Sequence, residues 1–307
     1  MELFAGAGGA TTGLIEARLD VVRCVEWDRD AHATAIAAGH PSVLGDVRDP
    51  SLDVEDIDLL WSSFPCQAWS LAGKRLGPTD ARNGWPWTVD AIDRMGPSWF
   101  AGENVVGLTL HSRREHVGGV PVDLGRCPGC YFDRVILAEL RERFEEVSWK
   151  ILDAADYGVP QHRRRVFIVA GPRASGWPGA THCGAASGRR AWNTMGGALG
   201  LVGGSARPGT RAESQPELLG RPAPTVTTTE VKGTRGEAMR GGPDRASDAL
   251  WLATGVRRLT VAQCAALQAF PPDYPWRGNQ ASVYRQIGNA VPPVMGEVVG
   301  RAVGASV

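Results

Sequence analysis

The first 170 residues alternate short apolar runs with stretches of helical periodicity, and this pattern restricts the fold more than any other feature. The apolar runs predict strands over residues 1–4, 21–25, 57–61, 99–101 and 166–170. The stretches between them predict helices over residues 12–19, 31–38 and 132–144. Strands that alternate with helices favour an α/β fold, with a doubly wound, mostly parallel sheet covered by helices.

The composition changes after Gly171, where Gly, Pro, Arg, Ser and Thr replace the aliphatic runs. We therefore predict one domain over residues 1–172, completed by the C-terminal segment 280–307, and a smaller domain over residues 173–279. Thr260 is placed to cap a helix that contains Cys264, Leu267 and Phe270, and a last helix is expected over about residues 294–303.

Charge divides the chain in the same place. The formal net charge is zero, but residues 173–279 carry +6 and the rest of the chain carries −6. A nucleic-acid partner calls for positive charge where it makes contact, although an ordinary solvated surface explains this charge equally well.

The sequence has neither a run of about 18 apolar residues, as a membrane span needs, nor a secretion signal. The six cysteines are scattered, which favours thiols over a disulfide framework. We expect a soluble cytoplasmic protein in which one thiol can be chemically active.

A glycine-rich turn, F-A-G-A-G-G at residues 4–9, lies between the first strand and the first helix. Gly6 and Gly8 let the backbone approach a ligand closely, but Thr11 occupies the place of the third glycine of a dinucleotide site. Three later residues complete a predicted nucleoside pocket. Glu26 can accept bonds from two ribose hydroxyls, Trp27 offers a face to a purine, and Asp46 can accept a bond from an adenine amino group. Glu26 and Asp46, each taken alone, could equally well cap helices or turns.

Cys66, in S-F-P-C-Q at residues 63–67, follows a strand at the sheet edge where open α/β folds hold substrates. A thiolate there can add to C6 of cytosine, which activates C5 toward a methyl donor; an inert buried thiol is the alternative. Glu103, in E-N-V, follows the strand predicted over residues 99–101 and can hold N3 and the amino group of that base. In Q-H-R-R-R, residues 161, 163 and 165 would share one face of a strand and could donate to the base O2 and to phosphate, unless the run is merely solvated.

These motifs and their order resemble the DNA cytosine-5 methyltransferase family, and the match runs from Met1 to about residue 302. Later matching segments are L-T-V-A-Q-C-A-A-L-Q-A-F-P at residues 259–271 and Y-R-Q-I-G-N-A-V-P-P at residues 284–293. The resemblance implies a Rossmann-like, S-adenosylmethionine-dependent methyltransferase fold. It implies methyl transfer to C5 of a flipped cytosine in duplex DNA, with S-adenosylhomocysteine as the product.

The resemblance also assigns roles to residues and segments. It implies cofactor contacts by Phe4, Gly6, Gly8, Glu26, Trp27, Asp46 and Asn289. With Arg163 added from the strand-face argument, the predicted catalytic residues are Cys66, Glu103, Arg163 and Arg165, and no catalytic metal is expected. Residues 1–172 would form the catalytic and cofactor-binding domain, and the recognition region would lie near residues 173–255. Ser70, Lys74 and Arg75 would belong to a loop that closes over DNA.

Two other functions stay open, an RNA (tRNA) cytosine-5 methyltransferase and a catalytically silent DNA-binding regulator. The expected partner is double-stranded DNA, bound by a monomer in a bacterial or phage-infected cell, with no membrane partner. Whether a cognate restriction endonuclease exists is left open.

Three features depart from the family pattern. The chain begins directly at its first strand, where relatives usually carry several more residues, so a frayed edge or a misassigned start is expected. Gln263 replaces the usual Glu, at a position that we expect to be structural. The segment after E-N-V is long and contains His111, His116, Cys127 and Cys130, which predicts either a small structural zinc site or an ordinary insertion.

Overall fold

The computed structural model describes residues 1–65, 80, 82–111, 116–117, 120–121, 127–173, 176–184, 188–201, 215–232, 245–256 and 258–304. Four residues named above, Cys66, Ser70, Lys74 and Arg75, lie outside these ranges. So does the side chain of His116.

The strands are β1 (Glu2–Leu3), β2 (Cys24–Glu26), β3 (Ser42–Leu44), β4 (Leu59–Ser62), β5 (Trp99–Val105), β6 (His116–Val117), β7 (Val120–Pro121), β8 (Glu146–Asp153), β9 (Arg164–Gly171), β10 (His182–Cys183) and β11 (Arg190–Ala191). The helices are α1 (Gly9–Glu16), α2 (Arg29–Ala37), α3 (Trp85–Met95), α4 (Pro128–Tyr131), α5 (Leu137–Arg141), α6 (Met195–Leu199), α7 (Ala246–Thr254), α8 (Val261–Leu267), α9 (Gln280–Asn289) and α10 (Pro293–Gly304). A π-helical turn, Phe132–Ile136, joins α4 to α5, and 3-10 turns lie at Pro50–Leu52, Val106–Thr109, Ala154–Tyr157, Pro216–Gly220 and Glu230–Lys232.

Seven strands form the central sheet in the order β3-β2-β1-β4-β5-β9-β8. The first five are parallel, whereas β9 runs antiparallel to both of its neighbours. The order reverses between β1 and β4, and a doubly wound sheet opens its ligand crevice at such a point, beyond the carboxyl ends of the strands. The predicted fold class is confirmed.

Alternate residues of the inner strands supply separate cores on the two faces of the sheet. Leu60 and Phe100 lie in one core, with α3 and the helix that contains Ile136. Trp61 and Ala101 lie in the other, with α1 and α10. The last helix therefore packs on the first helix.

A third core lies among residues 195–287 and includes buried side chains of α6, α7, α8 and α9. In α9, Tyr284 and Ile287 belong to this core, while Gln286 accepts a 2.7 Å hydrogen bond from Thr34 of α2. Because α9 packs on both sides, the domain boundaries at 172 and 280 stay predictions.

The helix predicted after Thr260 is present, and its cap is more complete than expected. The Thr260 hydroxyl accepts a bond from the Gln263 amide N–H, while the Gln263 side chain accepts one from the Thr260 N–H. Gln263 is therefore structural, as predicted. The helix ends at Leu267, shortly before Ala269, whose left-handed φ of 56° is not helical. Phe270 therefore lies beyond the helix and not within it as predicted.

Other ends differ from the prediction by a few residues. Helix α1 begins at Gly9, directly after the left-handed Gly8, and the helix expected over residues 132–144 begins at 128 and ends at 141. The fifth strand continues to Val105 and so contains the E-N-V motif. Met1 is buried, and its amino group donates to the Leu59 carbonyl at 2.9 Å. Among the described helices, none combines the length and the apolar composition needed to cross a bilayer.

Candidate active site

A cavity of about 360 Å³ lies at the carboxyl ends of β1, β4 and β5. Small-molecule sites commonly measure about 300–1,000 Å³. Eight of the predicted residues line it, namely Phe4, Gly6, Glu26, Trp27, Glu103, Arg163, Arg165 and Asn289. The cavity therefore brings the predicted cofactor residues and the predicted base-binding residues to one place.

The glycine-rich turn forms one wall and contains three left-handed residues. Phe4, Gly6 and Gly8 have φ values of 56°, 57° and 86°. Gly8 is not among the lining residues, and a Cβ added to it would overlap the His40 ring. Its glycine is therefore required by packing behind the turn.

The turn is supported from a distant part of the chain. The Tyr274 hydroxyl donates to the Ala7 carbonyl at 2.5 Å and lies 3.3 Å from His40 Nε2. Phe270 packs edge-on against Tyr274. Sequence reasoning missed Tyr274 and His40, because neither carries a local signal that it will meet residues 4–9.

Glu26 connects the turn to β2. One carboxylate oxygen accepts the Gly6 N–H and the other accepts the Asp28 N–H, both at 2.7 Å. Burial raises the pKa of Glu26 against the lowering effect of these bonds. Each oxygen keeps a second lone pair, so the side chain can still accept ligand hydroxyls. Trp27, at the rim, is 78% exposed and can stack on a base.

Asp46 lies apart from the cavity lining. Its carboxylate pairs with Arg48 at 2.9 and 2.5 Å, and this pairing lowers the pKa of Asp46. The Arg48 guanidinium lies 5.0 Å from the centre of the Trp87 ring. The Trp87 ring stacks on the Phe4 ring, with 6.4 Å between the ring centres. Asp46 is thus connected to the pocket wall through other side chains, and its contact with adenine stays a prediction.

Glu103 lies within β5 and is only 9% exposed. Its carboxylate is 3.1 Å from Arg165 Nε, across the antiparallel pairing of β5 with β9. Burial raises the pKa of Glu103, while Arg165 and Arg163 oppose the rise. A carboxyl group in this state takes up a proton more readily than an exposed one and can then donate a hydrogen bond.

The chain that leads to Cys66 is fixed against the cavity wall. The Asn104 amide donates to the Phe64 carbonyl at 3.0 Å, and the buried Phe64 ring packs edge-on against Trp85. A Cβ on Gly84 would overlap Pro65, so glycine is needed for this packing. Pro65 lines the cavity, and Cys66 follows it outside the described residues.

Gln161 and Arg163 bond to main chain. The Arg163 guanidinium donates to the carbonyls of Gly288 and Ala290 at 2.9 and 2.8 Å, and to that of Val226 at 3.2 Å. Gln161 donates to the Leu267 carbonyl and accepts from the Val226 N–H. Arg163 thereby holds the loop that carries Asn289.

The predicted common face of residues 161, 163 and 165 is not a strand face. Strand β9 begins at Arg164, so alternation along a strand does not extend back to Gln161. Arg163 and Arg165 nevertheless both line the cavity, whereas Gln161 is not among its lining residues. Of the three, it is Arg165 that pairs with Glu103.

The sequence of this chain is similar to those of known proteins. The model of the C-5 cytosine-specific DNA methylase family matches residues 1–178 and 188–305. The chain is 30% identical to the type II methyltransferase M.AplI of Arthrospira platensis, over 99% of this chain and 84% of that protein. It is 29% identical to the type II methyltransferase M.NaeI of Lentzea aerocolonigenes, over 100% and 74% respectively.

Two solved structures share the fold. The S. pombe Dnmt2 methyltransferase has a TM-score of 0.61 at 15% identity, covering 99% of this chain and 98% of that one. A Spodoptera frugiperda DNMT2 has a TM-score of 0.60 at 16% identity, covering 97% of each chain.

Proposed function

The chain belongs to the C-5 cytosine-specific DNA methylase family, and from that premise we propose that it methylates C5 of a flipped cytosine in duplex DNA. S-adenosylmethionine would be the donor and Cys66 the nucleophile, through a covalent Cys66–C6 adduct. One observation carries the proposal: a single cavity joins the glycine-rich turn and Glu26 to the buried Glu103–Arg165 pair.

The residues of the cofactor side fit S-adenosylmethionine, which when bound would supply an electrophilic methyl group on a sulfonium. Gly6 brings backbone to the cavity, and Glu26 offers two oxygens that can accept from ribose hydroxyls. Trp27 can cover a purine ring, and Asn289 reaches the cavity from the loop that Arg163 holds.

On the other side, Glu103 and Arg165 would hold the base. A protonated Glu103 can donate to N3 of cytosine, which offsets the negative charge that develops on the ring when a thiolate adds to C6. Arg165, which already contacts one Glu103 oxygen, orients the carboxyl group and leaves its other oxygen for the base.

Cys66 would begin the reaction. Its thiolate adds to C6, and the electron pair of the C5–C6 double bond shifts so that C5 becomes nucleophilic. C5 then takes the methyl group as the bond from methyl to the donor sulfur breaks, which would release S-adenosylhomocysteine. A base removes the C5 proton, and that electron pair restores the double bond as the Cys66 thiolate leaves.

The base must leave the helix before Cys66 can reach it, at a cost of a few kcal/mol of unstacking. The net charge of +6 over residues 173–279 supports phosphate contacts that offset this cost. M.AplI and M.NaeI are named type II methyltransferases, which supports duplex DNA as substrate and a restriction-modification setting. The enzyme would then act where the DNA is, in the cytoplasm of a bacterium or an infected cell.

Transfer of a tritiated methyl group to DNA and to tRNA tests the proposal. The intact protein should label duplex DNA far more than tRNA, and Cys66→Ser should bind DNA while transfer falls by orders of magnitude. Glu103→Gln should lower kcat more than it weakens DNA binding. Unchanged turnover in Cys66→Ser would refute the covalent mechanism, and preferential labelling of tRNA would refute the DNA substrate. Bisulfite sequencing of DNA from expressing cells would then identify the methylated sequence.

A further inference from the structure

Three residues with zinc-binding side chains meet outside the cavity, where the chain continues after β5. His111, Cys127 and Cys130 place one nitrogen and two sulfurs within 4.8 Å of one another. His111 Nδ1 is 3.8 Å from the Cys127 sulfur and 3.5 Å from the Cys130 sulfur. Both cysteines are buried, whereas His111 is exposed.

These distances match a tetrahedral metal site. Zinc–sulfur bonds of about 2.3 Å and zinc–nitrogen bonds of about 2.05 Å at the tetrahedral angle put sulfur and nitrogen about 3.6 Å apart. The two measured distances lie on either side of that value. A single ion could therefore contact all three atoms with small side-chain adjustments.

The surroundings of His111 support the same interpretation. Its other nitrogen, Nε2, lies 3.1 Å from the Asp133 carboxylate. A carboxylate that accepts from the far nitrogen fixes the ring tautomer and orients the near nitrogen toward a metal, as in many zinc proteins. The Asp133 contact thus leaves Nδ1 as the nitrogen that faces the sulfurs.

Gly129, in the C-P-G-C segment at the start of α4, lies directly against His111. A Cβ at this position would lie 2.8 Å from His111 Cδ2 and 2.9 Å from the His111 backbone nitrogen. The Gly129 N–H also donates to the Leu110 carbonyl at 3.0 Å. Glycine therefore lets the start of α4 approach the histidine closely enough to share an ion.

We propose that His111, Cys127 and Cys130 bind a structural zinc ion. Two thiolates and an imidazole favour zinc over hard cations such as magnesium or calcium. These three side chains supply three of the four positions of a tetrahedral site.

The ion would brace the active site from outside. It joins the chain that leaves β5, which carries Glu103, to the start of α4. Tyr131, which follows Cys130, accepts a 3.0 Å hydrogen bond from the Asn83 side chain. Asn83 lies shortly after the segment that contains Cys66. This role is independent of the proposed reaction, so metal content can be tested without an activity assay.

The experiment is metal analysis of the intact chain, purified without added metal, with any affinity tag removed, and dialysed against metal-free buffer. Inductively coupled plasma mass spectrometry should find about one zinc ion per chain. The double variant Cys127→Ser/Cys130→Ser should contain almost none, while Cys183→Ser, a cysteine outside the cluster, should keep its zinc. Asp133→Asn should weaken zinc binding about 10- to 100-fold in competition with a chelating dye.

Because the double variant could fail to fold, the wild-type protein supplies an independent readout. Cobalt(II) exchanged into it should give thiolate charge-transfer absorption and the visible bands of a tetrahedral site. X-ray absorption of the zinc form should show sulfur neighbours at about 2.3 Å. A wild-type zinc content near zero after incubation with zinc, a shell without sulfur, or an unchanged content in the double variant would overturn the proposal.

Discussion

Glu2 gives the chain a pH-dependent stability that can be worked out from its position. It lies in β1, is 1% exposed and accepts a hydrogen bond from the Thr11 hydroxyl. Burial raises its pKa from 4.5 to about 7, against the lowering effect of Thr11 and the amino terminus. The folded chain therefore holds this proton over a pH range in which the unfolded chain has lost it.

The magnitude follows from the two pKa values. Each pKa unit corresponds to about 1.36 kcal/mol, so the difference between 4.5 and about 7 is worth about 3 kcal/mol. Because the folded pKa is the higher one, this stability is fully present below pH 4.5 and is lost as the pH rises through about 7. Glu2→Gln keeps the shape of the side chain and removes the titration.

Urea unfolding followed by tryptophan fluorescence, at pH 5 and at pH 8.5, measures the effect. The variant should be more stable than the wild type by about 1 kcal/mol at pH 5 and by about 3 kcal/mol at pH 8.5. Glu16→Gln, an exposed carboxylate on α1, serves as the matched control and should show no such change. A wild-type-to-variant difference that stays constant within about 0.5 kcal/mol across the two pH values would refute the assignment.

Two further predictions concern residues that hold the walls of the cavity in place. Gly8→Ala should lower the free energy of unfolding by more than Gly39→Ala in chemical denaturation, because both glycines have positive φ but only Gly8 has a neighbour, His40, that an added Cβ would overlap; equal losses would contradict the packing argument. Arg163→Leu should raise the Kd for S-adenosylmethionine in calorimetry, with Arg163→Lys intermediate, because the guanidinium holds the loop beside the cofactor site; an unchanged Kd would show that the loop keeps its place unaided.

Patterns that are local in sequence predicted much of the fold. The five apolar runs became strands of the central sheet, because an inner strand that is covered on both faces must be largely apolar. The Thr260 cap was also predictable, because its partner Gln263 lies only three residues along the chain. The glycine-rich turn, Glu26 and Glu103 followed from their positions at strand ends, where an open sheet brings side chains together.

Contacts between distant segments escaped prediction. Among the described strands, β8 pairs only with β9, at the sheet edge. Seven of its eight residues are half-buried or exposed, in an order that gives no clear period. Tyr274 supports a turn 267 residues earlier, and no local pattern announces such a contact. The contact of Asp46 is local by contrast. Its partner Arg48, which competes for the carboxylate, lies only two residues away in the sequence.

Asn289 was predicted from the family resemblance and not from the residue pattern, and its contacts show why. Its loop is held by Arg163 through the carbonyls on either side of it. On one flank, a Cβ on Gly288 would overlap the backbone of Thr227 and Thr228. On the other, α10 packs so closely on α1 that Gly296 has no room for a side chain beside Ala10.

Three segments more than 60 residues apart in the chain therefore meet at one loop. Each contact is made by backbone or by a buried side chain, so none can be loosened without moving the others. We therefore expect the wall of the proposed cofactor site to depend on the packing of the C-terminal helix on the first helix. Loss of α10 should consequently abolish binding of S-adenosylmethionine before it removes the sheet, and circular dichroism with calorimetry on Gly296→Leu would separate the two effects. Full cofactor affinity in that variant would contradict this dependence.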